Sequence, residues 1–173
     1  LIVMDKFPAT FKGQTAALII SGNIIGPMIP SVTAKCTIFG PFAKDISEKM
    51  GYKNDSIGAA GLFGAMFMGF GITGPAFLSS SFFCYTLLGL LPESVQSQMT
   101  WITWAISALP WTLVIMILGY IAIQFLYKPE KDTRLDPLYL KERIASLGSL
   151  TRNERIVSTV LGISLLLWMT EKV

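Results

Sequence analysis

The sequence predicts an all-α, polytopic membrane protein with a re-entrant helical hairpin and a discontinuous transmembrane helix. Three observations predict it. Of the 173 residues 52% are hydrophobic and 14% charged, with a mean hydropathy of +0.57, against about 45–50% apolar and about 25% charged in ordinary soluble domains. Uncharged runs cover 13–34, 56–92 and 94–127, each long enough for the roughly 20 residues a bilayer crossing needs. Two of these runs contain breaks: Pro27 and Pro30 ahead of Ser31-Val32-Thr33, and Gly69-Phe70-Gly71-Ile72-Thr73-Gly74-Pro75. Non-helical backbone at membrane depth survives only against protein or a water-filled cavity, because lipid leaves each unpaired group several kcal/mol out of balance. No strand-like alternation, internal repeat or low-complexity segment competes with the helical assignment.

Residues 1–12 form a lead-in on the cytoplasmic side, carrying Lys6 and Lys12. Residues 13–50 form the hairpin, with its tip at Pro30–Thr33. A full crossing by 13–30 would put Lys44, Lys49 and Lys53 opposite Lys6 and Lys12, and the later basic cluster would also land outside, against the positive-inside tendency. A hairpin leaves only Lys35 at the tip and Lys172 at the far end off the cytoplasmic side. The second arm, counted to Ala43 ahead of Lys44, would reach roughly 20 Å, short of the ~30 Å hydrocarbon core.

Residues 51–92 form a discontinuous transmembrane helix plus an interfacial segment, since 56–92 would run to roughly 55 Å as one straight helix, nearly twice the core thickness. The glycine-rich break therefore interrupts it: glycine permits unusual backbone angles, and Pro75 removes a donor and disfavours helix at Gly74. A lateral, partly interfacial piece is expected around Ser79–Leu91. Residues 101–127 form a plainer transmembrane helix with Trp101 and Trp104 at one interface and Tyr127 at the other. Residues 128–155 are a cytoplasmic connector with a short amphipathic helix near 138–147. Thr151-Arg152-Asn153-Glu154 is a capping box for a truncated transmembrane helix at 156–173. The chain starts at Leu1 with no basic leader before its first apolar run, so an internal fragment without a signal peptide is expected.

The composition argues against an enzyme. There is no histidine, which removes the commonest general base and metal ligand. Asp5, Asp45, Glu48, Asp55 and Glu93 all fall at expected interfaces, so no carboxylate pair lies in the membrane. Cys36 and Cys84 read as small buried hydrophobes rather than as a disulfide or metal pair. Gln14 and Asn23 read as structural hydrogen-bonding groups, and Gly58, Gly61 and Gly64 as close-packing positions.

The tip carries the candidate chemistry. Ser31, Val32 and Thr33 would open the second arm, where free amides, the positive helix end and two hydroxyls suit a carboxylate or similar anion. Lys35, one turn on, is either a site residue or a lysine that snorkels to a water cavity. Gly69, Gly71 and Gly74 match a dinucleotide fingerprint in spacing but lack its strand and helix context. They read instead as an unwound helix whose carbonyls, with Thr73, could coordinate a cation.

Pro30-Ser31-Val32-Thr33-Ala34-Lys35, Phe39-Gly40-Pro41-Phe42, Leu147-Gly148-Ser149-Leu150-Thr151-Arg152-Asn153-Glu154-Arg155 and Leu167-Trp168 together resemble the divalent-anion:sodium symporter family, nearest its bacterial permeases of the 2-oxoglutarate/malate translocator type. The resemblance spans nearly the whole chain, which makes up about a third of a member. It implies a partial inverted-repeat transporter fold and a homodimer in the bacterial inner membrane. It also implies carriage of a di- or tricarboxylate or sulfate, with sodium as coupling ion and no other cofactor. Ser31 and Thr33 take the places of tip residues that contact substrate and line the first sodium site, which Gly71, Thr73 and Gly74 would complete. Val32 departs from the family's tip asparagine and offers neither a hydrogen bond nor a sodium ligand from its side chain. A different class of reading is a non-transporting membrane assembly subunit, in which the tip would be packed and closed to a hydrophilic thiol reagent.

Overall fold

Nine α-helices account for the regular structure of residues 1–170, the part of the chain that the computed structural model describes. Lys172 and the last three positions of the expected 156–173 span lie outside the described residues. The order is α1 (Ile2–Asp5), α2 (Phe11–Ile25), α3 (Val32–Lys49), α4 (Ile57–Phe67), α5 (Phe82–Gly89), α6 (Glu93–Gln96), α7 (Trp101–Leu126), α8 (Pro137–Ser146) and α9 (Arg152–Thr170).

Side-chain caps set most of the helix starts. Thr10 receives the Gly13 amide, Ser31 the Ala34 amide and Ser56 the Ala59 amide, each at 3.2 Å. Thr100 and Thr103 cap α7 reciprocally, and Asp136 receives the Leu138 amide at 2.9 Å ahead of Pro137. At the start of α9, Glu154 accepts from the Thr151 amide at 2.7 Å while Thr151 accepts from the Glu154 amide at 3.3 Å. That is the reciprocal bonding a capping box requires.

α2 and α3 both lie against α4 and the break that follows it. Their outer ends share one end of the bundle: the Phe11 ring, at the start of α2, meets the Tyr52 ring, just past α3, edge on at 6.2 Å. The connector closes over the same end. Leu135 donates its amide to the Ala9 carbonyl at 2.8 Å, and Tyr52 donates its hydroxyl to the Lys131 carbonyl at 3.2 Å. Glu130 accepts from the amides of Ile57 and Gly58 at 2.6 and 3.2 Å, which puts a carboxylate on the positive end of α4. Met4, Phe11, Ile46, Met50, Tyr52, Leu62, Leu135 and Leu140 belong to the core these pieces enclose.

Two elements differ from expectation. The second arm does not stop before Lys44: α3 continues through 18 residues to Lys49, roughly 27 Å. Charge alone does not end a helix, and Lys44 pairs with Glu48 at 3.8 Å on the exposed face. The stop comes at Gly51, whose φ of +77° is open to glycine and strained for other residues.

The piece expected at Ser79–Leu91 divides into a 3-10 turn at Leu78–Ser80, packed into the bundle, and α5, capped by Ser81. Ser79, Ser80 and Ser81 are all buried. Trp101 and Trp104, expected as interfacial rings, donate their indole N–H groups to the Ser79 hydroxyl and the Pro75 carbonyl, both at 2.9 Å. An indole N–H beside an unwound segment finds a backbone or hydroxyl oxygen that a regular helix would have used itself.

Large apolar side chains on α5, α7 and α9 remain exposed, among them Phe82, Phe83, Trp111, Ile117, Phe125 and Leu167. Ile57–Ala76 and Trp101–Leu126 are long and apolar enough to cross a bilayer.

Candidate functional site

The turn between the first two long helices is built by proline chemistry. Pro27 sits in a 3-10 turn over Gly26–Met28 that ends α2, and Pro30 precedes Ser31, whose extended backbone starts α3. Because Ser31 accepts from the Ala34 amide through its hydroxyl and from the Lys35 amide through its carbonyl, the amides of Val32 and Thr33 are left outside the helix ladder. Two unladdered N–H groups at a positive helix end can hold an oxyanion.

The break in α4 faces this turn. After Phe67 the helix widens into a π-turn over Met68–Ile72, then passes through 3-10 turns at Gly74–Ala76 and Leu78–Ser80. Glycine allows its close approach to α2, since a β-carbon on Gly69 would sit 2.6 Å from the Ile19 carbonyl oxygen, and one on Gly22 would collide with the Gly69 backbone. Asn23 donates to the Thr73 hydroxyl at 2.9 Å, while Thr73 faces the carbonyls of Met68 and Gly69 at 3.1 and 3.0 Å. Ser79 donates to the Pro27 carbonyl at 3.0 Å.

Lys35 joins the two pieces. Its side chain is fully buried, at 0% exposure. Its ammonium donates to the Ser80 carbonyl at 3.0 Å and the Ser80 hydroxyl at 2.8 Å. It therefore does not snorkel to water. Among the described residues no carboxylate pairs with it, and the ion pair there is Lys44 with Glu48.

Of the residues singled out by sequence, Val32, Lys35 and Gly74 come together: a β-carbon placed on Gly74 would meet the Lys35 nitrogen at 3.3 Å, the Ser80 hydroxyl at 3.4 Å and a Val32 methyl at 3.9 Å. Ser31 is spent as a cap, and Thr33 is exposed. Gly71 is buried beneath the Phe67 ring. Sodium takes oxygen ligands, yet the Thr73 hydroxyl is already bonded on three sides and the space beside Gly74 holds an ammonium. The residues present thus fit an oxyanion at the α3 amides better than a sodium ion at the break.

Sequence reasoning missed Ser79 and Ser80, which hold the turn and the lysine. The available signal was three consecutive serines just past a Gly-Pro break in an otherwise apolar run. Cys84 is buried, as expected of a small hydrophobe, while Cys36 is half-buried.

Known proteins are similar to this sequence. The putative malate transporter YflS of Bacillus subtilis is 29% identical over 97% of this chain and 36% of its own length. Dicarboxylate transporter 1, chloroplastic, of Spinacia oleracea is 28% identical over 94% of this chain and 30% of its length. Dicarboxylate transporter 2.1, chloroplastic, of Arabidopsis thaliana is 28% identical over 91% and 29%. The chain thus spans about a third of the length of these relatives. The family profile described as the sodium:sulfate symporter transmembrane region matches residues 2–173. This chain belongs to that family of integral membrane transporters.

Proposed function

We propose that the complete protein is a secondary transporter of small dianions, a C4-dicarboxylate, 2-oxoglutarate or sulfate, across a bacterial inner membrane. One observation carries the reading: a proline-built turn presents two unladdered α3 amides, with an ammonium buried one helical turn behind them that, among the described residues, is held by neutral Ser80 oxygens and no carboxylate. A carboxylate or sulfate oxygen is the partner such a turn lacks. The names of the relatives, malate and dicarboxylate transporters, favour a dicarboxylate.

In this reading 13–50 is a re-entrant hairpin entering from the cytoplasm, and the shared end of α2 and α3 at Phe11 and Tyr52 supports it. Ser31 shapes the turn, Val32 and Thr33 bind through backbone amides, the Thr33 hydroxyl reaches the solute, and Lys35 supplies charge. The homodimer and the second, inverted repeat belong to the same proposal.

The test is uptake of labelled succinate, malate or sulfate by the complete protein in liposomes, with and without a sodium gradient. Uptake of one of them supports the reading, and failure of all three under every gradient ends it. Thr33→Cys, with Cys36 and Cys84 replaced by alanine, tests the cavity: a hydrophilic thiol reagent reaches it if the turn lines water. A protected thiol would favour the packed assembly subunit.

A further inference from the structure

We infer that the flank of α3 beside α4 is the inner approach to the transport site, with a vestibule of Lys44, Ser47 and Asn54 at its mouth that receives the anion before it reaches the turn. The inference rests on the transporter reading above, with α2 and α3 as a hairpin entered from the cytoplasm, and adds a second place for the same small dianion.

A hollow of about 810 Å³ lies between α3 and α4. Thr37, Gly40, Lys44 and Ser47 line it from α3, and Asn54 and Phe63 from the chain that follows. Thr37 to Ser47 covers roughly 15 Å of helix, so the hollow runs from one turn past Thr33 to the base of the hairpin. Three- and four-residue steps put Thr33, Thr37, Gly40 and Lys44 on one side of α3. A polar stripe on an arm inside the membrane faces protein or a water-filled cavity rather than lipid. Ile38, exposed on another side of the helix, does not line the hollow. A β-carbon on Gly40 would meet nothing nearer than the Phe63 ring at 3.7 Å, so packing does not demand glycine there, and its absent side chain keeps the passage clear.

The lower end carries unspent donors. Ser47 is 2% exposed, and its hydroxyl has no hydrogen-bond partner among the described residues. Buried hydroxyls are ordinarily paired, and one that lines a hollow is free to donate to a solute. Lys44 brings charge: its contact with Glu48 is 3.8 Å long, between side chains 60% and 50% exposed, a loose surface pair. Asp45 is already engaged by the Tyr139 hydroxyl. An ammonium, a hydroxyl and the Asn54 amide around one space supply the donors a carboxylate or sulfate takes. Weak capture at the mouth raises the concentration of dianion below the turn.

The experiment uses the complete protein with every cysteine but Cys36, which also lines the hollow, replaced by alanine. Labelling is followed in inside-out vesicles with an anionic sulfonate methanethiosulfonate and its cationic trimethylammonium counterpart, each rate taken relative to a small free thiol. Cys36 should react from the cytoplasmic face and favour the anionic reagent, and malate, succinate or sulfate should slow it saturably. Lys44→Gln should cut that preference by about 5-fold, roughly the worth of one charge at a wetted site. It should raise the half-saturating anion concentration for exchange from that face by a similar factor and leave the maximal rate unchanged. Ser47→Ala should raise the same concentration by about 2- to 5-fold. With Cys36 also replaced, Thr37→Cys should react and Ile38→Cys should not.

Cys36 and Thr37→Cys both closed to the reagents, in a protein that exchanges anion, overturn the inference. So does a charge preference that Lys44→Gln leaves unchanged, or labelling that none of the three anions slows. If Lys44→Gln fails to fold, labelling of Cys36 with Lys44 in place decides alone. Each of these results leaves the transporter reading standing, whereas no exchange of any of the three anions sinks both.

Discussion

Asn23 donates its side-chain N–H to the Thr73 hydroxyl at 2.9 Å across 50 residues of chain, joining the first long helix to the break in α4. Thr73→Val should be the more damaging change, because it leaves one Asn23 donor unpaired in a half-buried place, at about 1–3 kcal/mol. Asn23→Leu leaves Thr73 its bonds to Met68 and Gly69 and should cost about 0.5–1.5 kcal/mol. Unfolding temperatures of the complete protein in detergent should fall in that order, with the double variant falling by less than the sum because the two share one bond.

The backbones of α2 and the π-turn touch through Gly22 and Gly69. Alanine at either position meets backbone atoms that cannot swing aside, Ile19 on one side and Gly69 on the other. Each change should destabilise by about 1–3 kcal/mol or more. Gly64 has nothing within 4 Å of the corresponding position, so Gly64→Ala should be neutral or stabilising by up to about 1 kcal/mol. Equal behaviour of all three in a thermal-shift assay would refute the close approach.

Glu130 fastens the connector to the first turn of α4. Its own amide and that of Ile57 hold its carboxyl below the usual carboxylate range. A carboxyl with a depressed folded pKa stabilises the fold above its unfolded value near 4.3, and that stability disappears as pH falls through the folded value. Acidification should therefore destabilise the unmutated protein more than Glu130→Gln, which has no such charge to lose. Parallel unfolding temperatures for the two from neutral to acid pH would contradict this.

Tyr139 on α8 donates its hydroxyl to the Asp45 carboxylate on α3, while Lys49 lies over its ring at 5.5 Å. Burial, then the Asp45 bond and charge, push its phenol up to about 12. For a group raised in the folded state the stabilisation is complete below the unfolded value near 10 and disappears as pH climbs towards 12. Tyr139→Phe should release α8 at neutral pH, leaving Lys141 and Arg143 more open to trypsin. An unchanged cleavage rate would show that the Tyr139–Asp45 bond does not hold α8 in place.

The longer helices were legible because local signals mark them, whereas the one-turn α1 and α6, which have no side-chain cap, were not. Thr151 with Glu154, Asp136 with Pro137, and Ser31 after Pro30 mark starts that depend on neighbours a few residues away, and long uncharged runs mark helices by composition. The break at Gly69–Pro75 was equally plain, since glycine and proline act on their own backbone. Where α3 ends was not legible from charge, because Lys44 and Glu48 pair on an exposed helix face without ending the helix, and Gly51 sets the stop.

The sequence by itself therefore determined the helical class, the membrane character, the turn at Pro30–Thr33 and the broken helix. It did not determine what Lys35 does. Only the tertiary structure brought Ser80, 45 residues away, against its ammonium, and Ser79 against Pro27 and Trp101. Local rules tell a chain where to bend, but the partner of a buried charge is chosen by packing between segments that have no periodic relation in sequence. For Lys35 that packing left a cation tied to the neutral oxygens of Ser80, with no carboxylate beside it among the described residues.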